Sequence, residues 1–589
     1  MKRNNVNKQV AALVALGVVL TACSGGDDDA TTEQTIDEQT IDLDRPDDDR
    51  PDDGSDDDSD DGSDSESDFV PNRRSDDEDT ADEAASEEPA DLSPQPHDAE
   101  RTSADAPTSG GTASIAGDDE GGLYGSELPP DDNDDRLEDN TFENYGYRDF
   151  VATSTDPLST FALDVDTGSY AVMRRWIEEG HLPPIESVRP EEYINAFHYD
   201  YDAPRDGLEI SVDGGPSPFD DDNVLVRIGV QGEIVDDDDR GPAALTFVID
   251  TSGSMDRDDR LGLVKDSLEV LVDELDDDDT VAIVTYSDSS GIVLHPTSVR
   301  DRDEILDAID RLRPGGSTNL EAGLRTGYGL ASEAFRRDGI NRVILASDGV
   351  ANVGVTDPTE LATMIRDDAD RGINLVTVGF GMGNYNDVTM EQLADQGDGF
   401  YAYVDTEDEA ERLFEDELTA TLLTIAKDAK IQVEFDPELV EAYRLIGFEN
   451  RGVLDSDFRN DDVDAGELGA GHQVTAIYEL ELARGVRVDD RGDLGEVFLR
   501  WEDPDTGEVT EIDEDIELRD VDDDWLETAD DFQLATVVAV FAELMRDNPH
   551  AERVDFESLV DEVERLADEY DDRDVDELAD LIERAAELR

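Results

Sequence analysis

The nine residues FVIDTSGSM, Phe247 to Met255, run from a stretch suited to a buried strand into one carboxylate and two hydroxyls spaced two residues apart. Such a set of oxygens could be an ordinary polar turn, the catalytic aspartate of an acid protease, or a cradle for a hard metal ion. Two other stretches supply donors of the same kind. RPGGSTNLEAGL places Thr318 after two glycines and just before a helical pattern, and VILASDGVANVG puts Asp348 at the end of another apolar run. If the three segment ends lie side by side, Asp250, Ser252, Ser254, Thr318 and Asp348 bring two carboxylates and three hydroxyls to one point. Magnesium takes oxygen ligands in an octahedron and keeps several waters, so it needs few carboxylates. Two anions at most balance a divalent ion and leave a coordination position open, which a partner's carboxylate could fill. That chemistry is capture of a ligand, not turnover.

Convergence of this kind requires a particular scaffold. In an open parallel α/β sheet, functional groups gather beyond the carboxyl ends of the strands. From Ala243 the chain alternates accordingly. ALTFVID, TVAIVTYS, NRVILAS and NLVTVGF read as short strands. DRLGLVKDSLEVLVDEL reads as a helix with Leu261, Val264, Leu268, Leu271 and Leu275 on one face. Further helices are expected over Asp303 to Leu312, over Leu320 to Arg337, from about Pro358, and from Thr389 and Glu407. The pattern predicts a doubly wound, mostly parallel sheet covered on both faces. Before it, FALDVDTGSYAVMRRWIEEGHLPP gives a short strand and a helix, RPEEYINAFHYDY a second helix, and LEISVDG with NVLVRIGVQGEIV paired strands. After it, KIQVEF, HQVTAIYELEL and the hairpin GEVFLRWEDPDTGEVTEI are β-rich, and three helices follow from about Asp530. The β-rich stretches on the two sides are expected to form one sandwich with the α/β unit inserted. The expected division is 1–22 signal peptide, 23–140 acidic linker, 141–242 flanking segment, 243–426 α/β domain, 427–525 β-rich domain and 526–589 helical tail.

Asp-x-Ser-x-Ser, the threonine of a Gly-Gly-x-Thr-Asn loop and the strand-terminal Ser-Asp-Gly occur here in one order, each at a strand-to-helix junction. Together they resemble the metal-ion-dependent adhesion site of von Willebrand factor type A domains, over about Ala243 to Ala426. The resemblance implies that Ser252, Ser254 and Thr318 contact Mg2+ directly, with Mn2+ or Ca2+ as alternatives, and that Asp250 and Asp348 bind partly through water. It further implies a protein ligand presenting an acidic residue, and a last domain helix, around Glu409 to Lys427, that shifts on binding. SYAVMRRWIEEGHLPP, VRPEEYINAFHYDY and DAGELGAGHQVTAIYEL resemble the extensions of bacterial lipoproteins that carry this domain. Val350 stands where those relatives commonly have an acidic or polar residue.

Composition narrows the setting. The 589 residues hold 46 Lys plus Arg against 157 Asp plus Glu, a formal charge of −111, which repels nucleic acid and anionic lipid headgroups. Lys2, Arg3 and Lys8 precede an apolar run, Val10 to Leu20, too short for a comfortable membrane span. It leads into Leu20-Thr21-Ala22-Cys23, which resembles a bacterial lipoprotein signal box, so Cys23 is the expected lipidation site. A lipid-anchored position on the extracytoplasmic face of the cell membrane follows from that reading. Cys23 is the sole cysteine, so no disulfide within the chain is expected. From Gly25 to about Asn140 almost no large apolar residue occurs, and such a segment cannot offset chain entropy by burial. As a neutral coil this tether would span roughly 60 Å.

Enzyme readings lack their parts. Asp166-Thr167-Gly168-Ser169 matches the tetrapeptide of an acid protease, with Asp250-Thr251 as its conceivable mate. That dyad needs two symmetric β-lobes sharing one proton, whereas a helical pattern directly follows the first site and helical patterns surround the second. Capping of the following helix by Asp166, Thr167 or Ser169 is the plainer expectation. There is no Gly-Lys phosphate loop, no His-Glu-x-x-His helix and no Gly-x-Ser-x-Gly elbow, and the six histidines form no spaced pair. The expectation is therefore a non-enzymatic, lipid-anchored binding protein. A structural envelope scaffold, in which metal only stabilises the fold, is the alternative, and an acid-protease-like hydrolase the remote one.

Overall fold

All eight residues of the strand Ala243–Asp250 are buried, which a strand achieves only when both of its faces are covered. The computed structural model describes Asn140 and residues 142–589, apart from 221, 237–239, 338, 349–360, 362–364, 367, 370, 382–386, 462, 489, 505 and 571. The signal sequence, Cys23, nearly all of the acidic linker, Val350 and the start of the helix expected from Pro358 lie outside the described residues.

In chain order the first part contains β1 (Val151–Ala152), β2 (Leu158–Ala162), α1 (Gly168–Glu178), α2 (Pro190–Asn195), β3 (Leu208–Pro216) and β4 (Asn223–Gly232). Next come β5 (Ala243–Asp250), α3 (Leu263–Glu274), β6 (Thr280–Tyr286), β7 (Ser290–Ser298), α4 (Arg302–Asp310), α5 (Leu320–Ala334) and β8 (Ile340–Ser347). They are followed by β9 (Asn374–Phe380), α6 (Asp387–Asp395), β10 (Tyr401–Val404), α7 (Glu407–Glu411) and α8 (Leu418–Leu422). The last part contains β11 (Thr424–Phe435), β12 (Val440–Ile446), β13 (Gly466–Gly469), β14 (Gln473–Leu482), β15 (Asp493–Glu502) and β16 (Val509–Glu517). Three helices end the chain: α9 (Asp530–Met545), α10 (Phe556–Tyr570) and α11 (Arg573–Leu588).

The central sheet runs β10-β9-β8-β5-β6-β7 and is parallel except for the edge strand β7. Leu245, Phe247 and Ile249 of β5 pack with α3, α4 and α7, while Val248 faces α5. Strand order reverses between β5 and β8, so Asp250 and Asp348 leave the sheet at its switch point, the place where open α/β sheets gather functional groups.

The second face of this sheet has an unexpected cover. Ala171, Val172 and Trp176 of α1, which belongs to the flanking segment, join its core beside Tyr401 and Tyr403. The DVDTGS stretch makes that docking. Asp166 accepts the Tyr401 backbone N–H at 2.9 Å, and Arg451 bridges Asp164 and Asp166. Thr167 occupies the N-cap position of α1 without a side-chain cap. None of the three expected caps therefore operates, because Glu192 on α2 takes the Ser169 N–H instead, at 2.6 Å. Gly168 lies so close to Tyr401 that a Cβ would fall 2.3 Å from the ring. Gly168→Val is accordingly expected to cost about 1–3 kcal/mol through overpacking. An unchanged thermal midpoint would show that α1 is not seated on β10.

The flanking strands form two antiparallel sheets, β1-β12-β14-β4-β3 and β13-β11-β15-β16, with β2 also beside β11. They share one core of residues such as Val226, Ile228, Ile431, Val433, Val497 and Leu499. Strands from before residue 243 and after residue 423 thus build a single sandwich around which the α/β unit is inserted. Helix α9, nearly all of it buried, covers the outer face of the first sheet. Among the described residues no helix is long and apolar enough to cross a membrane. The segment expected to carry the last domain helix as far as Lys427 instead turns to strand at Thr424. Its residues pair with β13 and β15, and that ladder overrides the local helical pattern.

Candidate metal centre

Asp250 ends β5 fully buried. Its Oδ1 accepts the Ser252 N–H at 2.7 Å, an Asx turn that reverses the chain directly after the strand. One turn of 3-10 helix, Gly253–Met255, follows, pinned by the buried Met255. The spacing of two between the serines then becomes a contact, with Ser252 Oγ and Ser254 Oγ 2.8 Å apart.

The second loop is stitched to the first through backbone bonds. Gly253 N–H donates to Gly316 O at 2.9 Å, and Gly315 N–H to Thr251 O at 2.8 Å. Asp288, in the loop between β6 and β7, accepts both the backbone N–H and the hydroxyl of Ser317, which fixes the approach to Thr318. Thr318 itself is buried, and Asn319 caps α5 by accepting the Ala322 N–H at 3.1 Å.

The third loop reaches the same place. Ser347 Oγ donates to Asp250 Oδ2 at 3.2 Å. Asp348, also buried, accepts a hydrogen bond from Arg260 Nη1 at 3.0 Å, and the same nitrogen donates to Ser254 O at 2.8 Å. Burial, and then the charge of Asp348, push the Asp250 carboxyl up to about 7. A buried carboxyl raised by a second buried carboxylate is eased by positive charge placed beside the two. A hard cation fits this donor set, which is all oxygen and lies on loops tied to each other. The sequence patterns assign no role to Arg260 or Asp288, nor to Ser347 of the Ser-Asp-Gly motif. Arg260 lay inside an expected helix, yet it sits on a π-turn, Asp258–Gly262, that precedes α3.

Asp166 and Asp250 share no hydrogen-bond partner, the first serving Tyr401 and Arg451 and the second Ser252 and Ser347. The two aspartates of the acid-protease reading do not form a dyad. A separate carboxylate cluster, Asp428, Asp464 and Glu467, has oxygens within 4.8 Å of one another. Burial first, then neighbouring aspartates, push the Asp464 carboxyl up to about 6.

Comparison with known families places the site in context. Residues 244–416 match the family described as von Willebrand factor type A domain, and residues 136–227 match one described as von Willebrand factor. Residues 420–588 match "Uncharacterized protein YfbK, C-terminal". The uncharacterized protein YfbK of Escherichia coli (strain K12) is 42% identical over 337 residues, which cover 56% of this chain and 58% of that protein. The uncharacterized protein sll0103 of Synechocystis is 27% identical over 303 residues, or 48% of this chain and 67% of that one. The chain thus spans little more than half the length of the first of these relatives. Among solved structures, a von Willebrand factor type A protein from Catenulispora acidiphila is 16% identical with a TM-score of 0.38, covering 63% of this chain and 88% of its own. The ArnB paralog VWA2 from Sulfolobus acidocaldarius is 15% identical with a TM-score of 0.32, covering 65% and 98%. With its sheet, its three loops and the family match, residues 244–416 of this chain form a von Willebrand factor type A domain.

Proposed function

We propose that the chain is a cell-surface lipoprotein that captures a protein partner through a divalent metal held by the loops after β5 and β8 and before α5. Asp250, Ser252, Ser254, Thr318 and Asp348 would hold the ion, Mg2+ with Mn2+ or Ca2+ as alternatives. When bound, the metal supplies an electrophilic position for a carboxylate of the partner. The observation that supports this reading best is the pairing of buried Asp250 and Asp348 at the switch point, beside two serine hydroxyls in contact. The chain's own groups set the geometry: Ser347 orients Asp250, and Asp288 holds the strip that carries Thr318. No step of turnover is assigned. Anchoring through Cys23 would hold the domain on the extracytoplasmic face of the membrane, and the polyanionic body would turn nucleic acid away.

A cross-linking pull-down from cell envelope, with and without chelator, tests the proposal. Chelation is expected to abolish capture while the far-ultraviolet circular dichroism stays unchanged. Capture that survives chelation overturns the reading. Unfolding on chelation with no partner present would favour the scaffold role instead.

A further inference from the structure

Arg260 is a cation built into the metal loops. It is 1% exposed, and arginine keeps its charge in proteins under all ordinary conditions. Nη1 joins Ser254 O at 2.8 Å to Asp348 Oδ2 at 3.0 Å, so the guanidinium touches two of the three loops. The rest of the side chain lies in a slot cut by a glycine. Gly381, just beyond β9, has φ +75°, and a Cβ there would fall 2.4 Å from Arg260 Cγ and 2.6 Å from Nε. The slot confines the side chain along its length, so swinging out of the site would mean leaving a shape made for it. Asp256 and Arg257, four and three residues before it, are exposed and screened by solvent.

The charge count has a direct consequence. With both carboxylates ionised, as metal binding requires, Asp250 and Asp348 contribute two negative charges and Arg260 one positive, so this trio carries one net negative charge before metal arrives. A divalent ion brings it to one net positive charge, where the same centre without the arginine would be neutral. Repulsion from the fixed guanidinium weakens metal binding in the absence of ligand, and this penalty is relieved once an anion joins the ion. Metal and anion then each tighten the other's binding by the same factor.

We infer that Arg260 is a specificity-determining residue of this centre, a permanent cation that makes metal binding depend on an anionic ligand and disfavours neutral ones. The inference rests on the metal-capture reading and goes beyond it by assigning the coupling to a residue outside the donor set.

The test uses Mn2+ as the metal and acetate as the probe carboxylate, with isothermal titration of the full chain. In the wild type, acetate is expected to tighten Mn2+ binding. In Arg260→Gln and Arg260→Met, Mn2+ alone is expected to bind about 10-fold more tightly, with the acetate effect largely lost. Arg260→Lys, which keeps the charge, is expected to retain most of the wild-type coupling. Met fills the slot with an apolar chain of similar reach, and replacement of a buried ion pair by such a group is commonly tolerated, so folding is checked by circular dichroism on two neutral variants. If folded neutral variants bind Mn2+ no more tightly than wild type and keep its acetate response, the arginine is only an ion-pair partner and the inference falls. Failure of both to fold even with Mn2+ present likewise assigns Arg260 to the fold and overturns it. If wild type and variants alike fail to bind Mn2+, the capture reading itself is lost, which separates the two failures.

Discussion

Asp250→Asn is expected to abolish the rise in unfolding temperature that divalent metal gives the wild-type protein, and metal-dependent capture with it. Asparagine preserves the Oδ1 that accepts the Ser252 N–H, and the Ser347 hydroxyl can rotate to accept from the new amide. The turn after β5 should therefore survive. What disappears is one of only two negative charges facing the ion. Altering a group that merely orients a metal ligand commonly weakens affinity 10–100-fold, so a loss of about 100-fold or more is expected for this one. At a metal concentration near 100 times the wild-type Kd, that removes most of about 2.7 kcal/mol of linked stabilisation. Without metal the variant should be no less stable than wild type, because the substitution relieves repulsion from buried Asp348. Differential scanning calorimetry with Mg2+ and with chelator measures both arms. Undiminished stabilisation by metal in the variant would place the ion elsewhere.

The second large effect concerns Arg174. From α1 its guanidinium reaches Asp405 after β10, Glu409 on α7 at 2.9 Å and Glu577 on α11 at 3.3 Å. Burial drives the Glu409 carboxyl up, yet Arg412 and Arg174 together outweigh it and hold the group below its usual range. Asp405 stays raised, since burial there exceeds the pull of Arg174. Arg174→Ala would strand buried Asp405 and leave Glu409 to Arg412 alone, and breaking a buried pair from one side costs about 3–5 kcal/mol. Glu577 is 40% exposed and adds little. Arg175→Ala, one residue along, removes a solvent-screened pair with Glu179 and should change stability by about 1 kcal/mol or less. Urea unfolding of the two variants provides the comparison, and hydrogen exchange over residues 405–422 reports whether the end of the domain loosens. Equal effects at the two positions would refute the buried-clamp account.

These clamps mark what a sequence can and cannot show. Strands such as Ala243–Asp250 and Asn374–Phe380 are legible because covered faces demand continuous apolar runs, and the oxygen-rich loops stand out against those runs. Strand β7 escaped notice. As an antiparallel edge strand it exposes Ile292 and His295 and carries Gly291 and Pro296, so it shows neither a run nor clean alternation. The long β11 was seen only in its second half, because Thr424 to Ala429 takes its form from β13 and β15. The role of Arg260 and the docking of the expected helix α1 were hidden for another reason. Each acts on residues distant in the chain, Asp348 in one case and Tyr401 in the other, and no local pattern records such a meeting.

One feature of the exit from the α/β unit bears on how it would behave under load. A single residue, Leu423, separates α8 from β11, whose hydrogen bonds run to neighbours on both flanks. Tension on a captured partner would find no slack there. It would pass from the helix straight into the ladder and load strands of the sandwich in shear.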